Sequence, residues 1–216
     1  MAWIEFSVAL VAFYLAHLLP ARLPALRARR GFHAAYGLVS LALLVWVIVA
    51  AGRAPFMPLW DQAGWMRWLV NLAMPLAILL ICLAIGAVNP LSFGGRSQGF
   101  DPARPGLAGV VRHPLLWALL IWAGAHALVN GDMAHVILFG GFALYAVIGM
   151  WAIDARKARD WGRGMWVTRA SGTSNLPFRG NWRGYRPPVI RLVLALLVWA
   201  VLWHLHGPVI GVSPQP

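Results

Sequence analysis

The sequence predicts an all-α, polytopic integral membrane protein: six transmembrane helices, with both termini on the outer side of the membrane. Three observations carry this. The 216-residue chain is 61% hydrophobic and only 11% charged, too little charge to cover a soluble domain of that length. Apolar runs of about 18 residues or more recur, each able to span the roughly 30 Å hydrocarbon layer. Sixteen of the 18 Lys and Arg side chains fall in alternate loops, which the positive-inside rule assigns to the cytoplasm.

The first run covers about 3–21. Its positive charges follow the apolar stretch instead of preceding it, so it reads as a span and not as a cleavable leader. Glu5, the only Glu in the chain, sits on its outer flank. A first inner loop, about 22–33, carries Arg22, Arg27, Arg29 and Arg30. The second run is 34–52 and the third 66–88, with the lone cysteine, Cys82, inside it. Arg53 and Arg67 between them are the two outer cations. A second inner loop, 89–113, contains "NPLSFGGRSQGFDPARPG" and reads as irregular.

The fourth run, 114–130, and the fifth, 133–153, are separated by Gly131 and Asp132 alone, so they pair as a tight antiparallel hairpin. Gly131 suits a positive φ and Asp132 an N-cap. The third inner loop, 154–188, mixes basic residues with Trp161, Trp166, Trp182 and Tyr185, a composition that lies along the inner leaflet. The sixth run is 189–206. The whole chain, 1–216, reads as one transmembrane domain of the bacterial inner membrane.

The net charge of +12 is confined to these loops, which excludes nucleic acid as the partner and leaves the lipid bilayer. One cysteine permits no internal disulfide, no paired-thiolate zinc site and no C-x-x-C-H haem attachment. A porphyrin here would be held without thioether bonds.

Seven histidines remain as chemistry-bearing groups. His33 reads as interfacial, and His135, His204 and His206 as hydrogen-bonded bundle residues. His17 and His126 stand in apolar surroundings, where an ionisable side chain is a functional hypothesis by default. Trp122 and Asn130 share the His126 face at i−4 and i+4 and read as its cofactor-side neighbours, although turn chemistry also explains Asn130. Gly124 and Ala125 thin the adjacent surface for a helix or a flat macrocycle. His113 stands at the cytoplasmic start of the fourth span, with Pro114 suited to the first helical turn. It lies 13 residues from His126, about 20 Å along a helix, so the two cannot ligate one iron.

The stretch "RHPLLWALLIWAGAHALVNGD", together with His17 ahead of Pro20 and Arg22, "TSNLPF" at 173–178 and the closing "HGPVIGVSP", resembles the NnrU family, which includes the plant 15-cis-zeta-carotene isomerase as a relative. The family name records an association with nitrite and nitric oxide reductase expression in denitrification. The isomerase relative is a membrane haem b protein with histidine ligands. The resemblance implies non-covalent haem b with His17 and His126 as metal ligands, and it places His113 in the Arg-His-Pro motif as the catalytic candidate. Two features depart from the isomerase pattern: Ala118 where Gly is usual, and the Asn-Gly-Asp ending. Helix depth alone would instead pair His17 with His113, or His126 with His135 or His206.

Four functions compete on this basis. The first is a haem-binding, redox or nitric-oxide-responsive protein supporting denitrification. The second is a haem-dependent cis-trans isomerase of a polyene, with a lipophilic substrate entering between the spans. The third is a membrane methyltransferase, which the Arg-His-Pro element resembles, but the tail after Asp160 has no acidic residue. The fourth is a structural membrane protein with its histidines satisfied inside the bundle.

Overall fold

The computed structural model describes residues 1–22 and 31–216. Among these the chain is all-helical, with eight helices and no strand: α1 (Ala2–Arg22), α2 (Phe32–Arg53), α3 (Gly64–Ala84), α4 (Leu107–Val110), α5 (Pro114–Asn130), α6 (Met133–Trp161), α7 (Arg163–Ala170) and α8 (Val189–Ile210). Arg27, Arg29 and Arg30 of the first inner loop lie outside the described residues. Four helices, α2, α3, α6 and α8, are long and apolar enough to cross a membrane, and the apolar stretch Ala2–Leu18 and α5 are shorter. Large apolar side chains cover their outer faces, with Leu38 70%, Leu72 74% and Leu196 62% exposed. Such faces need lipid around them. The chain is a membrane protein.

The apolar helices begin and end close to the expected positions, with three physical differences. α3 stops at Ala84, because Ile85 turns extended and Gly86 takes a φ of 67°. α6 runs on to Trp161 through Ala-Arg-Lys-Ala-Arg, all good helix formers. α8 continues through Pro208 to Ile210. The 89–113 loop contains α4, and the 154–188 segment contains the end of α6 and α7.

The chain packs as two compact units. The first comprises Met1–Gln62 and Asn130–Gly140. Here α1 and α2 form a helical hairpin, with Phe6, Ala9 and Phe13 buried on α1 and Val47, Ala50 and Ala51 on α2. The small residues let the backbones approach, and Glu5 meets Arg53 at 3.2 Å across the hairpin's open end. The turn before α6 behaves as expected. Gly131 has a φ of 66°, and Asp132 accepts hydrogen bonds from the His135 backbone N–H (3.3 Å) and from His135 Nδ1–H (2.7 Å). The Gly131 carbonyl takes the N–H groups of Leu59 and Trp60.

The second unit comprises Ala63–Val129 and Gly141–Pro216. α3 packs on α8, and Arg191 at the start of α8 donates to the Cys82 and Leu83 carbonyls that end α3 (3.1 and 2.7 Å). A cation there satisfies orphan carbonyls and opposes the negative helix end. At the other end, Asn71 donates to the Pro214 carbonyl and accepts from Trp203 Nε1–H. α5 and α6 pack through Leu116, Ala146 and Met150.

Candidate functional site

Pro114 opens α5 as expected, which leaves His113 just ahead of the first turn, with its carbonyl accepting the Trp117 N–H at 3.0 Å. The bend brings His113 inward, and the residue is 0% exposed. Its Nε2–H donates to Asp154 Oδ1 at 2.9 Å, and Nδ1 meets Ser92 Oγ at 3.1 Å. With the ring neutral, Ser92 donates to Nδ1; with the ring protonated, the direction reverses.

Asp154, near the end of α6, gathers three partners. Arg112 pairs with its Oδ2, Asn175 Nδ2–H donates to the same oxygen at 2.8 Å, and His113 takes Oδ1. Arg112 also donates through Nε to Thr173 Oγ1 (2.8 Å) and lies 5.2 Å from the Trp166 ring centre, a cation–π distance. Main-chain bonds seal the arrangement: Arg112 N–H to the Ser174 carbonyl, Trp117 Nε1–H to the Asn175 carbonyl, and Asn89 Nδ2–H to the Arg112 carbonyl. Four segments distant in sequence thus meet on one charge pair.

This network can hold a proton between an imidazole and a carboxylate whose charge a guanidinium balances. Both His113 nitrogens are engaged in this network. Asp154, Ser92 and Asn89 were not singled out in the sequence, and Trp166 was read only as an interfacial aromatic. Thr173 and Asn175 lie in the "TSNLPF" stretch that the sequence did single out. An Asp closing a long apolar run was the available signal for Asp154.

His126, also in the second unit, is half-buried. Its Nδ1–H donates to the Trp122 carbonyl one turn back (2.8 Å), and the Trp122 ring lies 5.3 Å from its own. That tautomer carries its lone pair on Nε2, the form a metal takes. His206 on α8 has the same form, with Nδ1–H on the Val212 carbonyl at 2.7 Å. In the first unit, His17 donates Nδ1–H to the Phe13 carbonyl at 2.7 Å, with the Phe13 and Tyr36 rings beside it. Asn130 closes α5 and belongs to that unit. Each of these imidazoles has the tautomer that would suit a haem iron, taken one by one. Among the described residues, no group of three or more His, Cys, Asp or Glu is arranged to hold a bare metal ion.

No curated protein and no solved structure matches the chain. The model of the NnrU protein family, however, matches residues 5–214, nearly the whole chain including the Arg112–His113–Pro114 corner and His126, and the chain belongs to the NnrU family.

Proposed function

We propose that the protein is a haem b-binding protein of the bacterial inner membrane that supports nitrite and nitric oxide reduction, as a redox or nitric-oxide-responsive component. One observation carries this reading: His126 stands half-buried in an apolar helix with its Nδ1–H on the Trp122 carbonyl one turn back, the tautomer in which Nε2 is the metal-binding nitrogen. A haem held there would supply one-electron chemistry and an iron centre able to bind nitric oxide. His126 would be one haem ligand; His17, favoured by the resemblance, and His206, favoured by helix depth, are the candidates for a second. Trp122 packs beside His126 and holds its ring orientation. His113 is a positioning residue that holds a proton against Asp154 beneath the cytoplasmic loops.

The charge distribution supports six spans with 89–113 and 154–188 on the cytoplasmic side. The reading is tested by absorption spectra of the full chain purified in detergent, oxidised and reduced. A haem b spectrum whose pigment acidified acetone extracts is expected. Protein without haem after expression with ample haem supply would sink the proposal. Deletion in a denitrifying host should impair nitrite reduction, whereas isomer conversion in a carotenoid-producing host would assign the polyene isomerase instead.

A further inference from the structure

The loop after α3 and the segment before α8 enclose a cavity of about 290 Å³ in the second unit, apart from the His113 network. Four guanidinium groups line it, from Arg96, Arg104, Arg186 and Arg191, against one carboxylate, Asp101. That carboxylate already has partners. It accepts from the Ala103 N–H at 2.9 Å and from Arg104 Nε–H at 3.1 Å, contacts that hold its carboxyl below the usual range. Arg191 is committed to the carbonyls that end α3. Arg96 and Arg186 are exposed, and among the described residues neither has an acidic partner. Tyr185 adds a phenol whose proton burial holds on more firmly, so it is a donor. Guanidinium groups gathered in a concave wall repel one another unless an anion sits among them.

We propose that this cavity binds a phosphate group, carried either by the headgroup of an anionic phospholipid or by a small soluble phosphate ester. Arginine forks match phosphate oxygens in pairs. The volume lies at the lower end of small-ligand pockets, roughly 300 Å³, room for a phosphate and a glycerol-sized group but not for a dinucleotide. The cavity also sits where α3 ends and α8 begins. These are the ends of two membrane-spanning helices, where basic pockets meet lipid headgroups.

The test uses the full chain, delipidated in neutral detergent. It is titrated separately with dioleoylphosphatidylglycerol, dioleoylphosphatidylcholine and glycerol 3-phosphate. Native mass spectrometry reads bound adducts and thermal unfolding reads stabilisation. A retained phosphatidylglycerol adduct with no response to glycerol 3-phosphate assigns the lipid headgroup. Stabilisation by glycerol 3-phosphate alone assigns the soluble ester. Arg96→Gln with Arg186→Gln should weaken binding at least about tenfold, whereas Arg163→Gln with Arg179→Gln, outside the cavity, should leave it unchanged. Wild-type protein that binds phosphatidylglycerol no better than phosphatidylcholine and ignores glycerol 3-phosphate overturns the proposal, whatever the variants do. So does equal loss in both variant pairs.

Discussion

His126 and His113 belong to one helix and its N-terminal flank, yet their environments assign them opposite tasks. His126 donates Nδ1–H to the Trp122 carbonyl of its own helix, a bond that does not tie it to another helix. A hydrogen bond between membrane helices averages about 0.6 kcal/mol in any case. His126→Ala should therefore insert normally and lose most of the haem absorbance. Comparing His17→Ala with His206→Ala then identifies the second ligand, since only the true partner abolishes the spectrum. Retention of full absorbance by His126→Ala refutes its assignment. His113 is the reverse case. Its imidazole, Arg112 and Asp154 have side-chain exposures of 0%, 13% and 15%, so deleting one partner strands the others. Asp154→Ala should cost about 3–5 kcal/mol. Asp154→Asn, which keeps an acceptor for His113, should cost less. Thermal unfolding of the purified protein measures both, and a loss below about 1 kcal/mol for the alanine variant would class the pair with exposed ion pairs.

At the scale of elements, the turn between α5 and α6 is held by one glycine. Gly131 takes a φ of 66°, and a Cβ there would lie 2.6 Å from the Trp60 carbonyl oxygen. Gly131→Ala should lower stability by at least about 1–2 kcal/mol. Gly140→Ala, inside α6 with nothing within 4 Å of the new Cβ, should raise it by about 0.5–1 kcal/mol. Unfolding midpoints that move in the same direction for both would contradict the geometry. This turn was legible in the sequence because Asn-Gly-Asp is local chemistry, and the helix positions were legible because apolar runs and their Gly, Pro and Arg boundaries are local too. The His113–Asp154 pair was not. Its partners lie 41 residues apart, and no periodicity links a residue before α5 to the far end of α6. His113 was singled out for its motif, while the residues that explain it came only from tertiary packing.

For the whole molecule, the question is how many times the chain crosses the bilayer. α5 has 17 residues, about 25 Å at 1.5 Å per residue, a little short of the roughly 30 Å hydrocarbon layer. α6 has 29 residues, about 43 Å, so its last turns project beyond the hydrocarbon. Those turns carry Asp154, Arg156, Lys157, Arg159 and Asp160, a charge density suited to headgroups and water. Arg53 ends α2 on the sparsely charged side, paired with Glu5. Topology reporters fused after Arg53 and after Asp132 should both read outside, and one after Arg159 should read cytoplasmic. The Asp132 fusion is the most demanding of the three. If α5 and α6 crossed fully, their short turn reaches the outer surface. If the pair dipped in and returned, Asp132 would be inaccessible from outside while Arg53 and Arg159 still read as expected. A cytoplasmic signal at Arg53, or the same side for Arg53 and Arg159, would overturn the six-span arrangement itself.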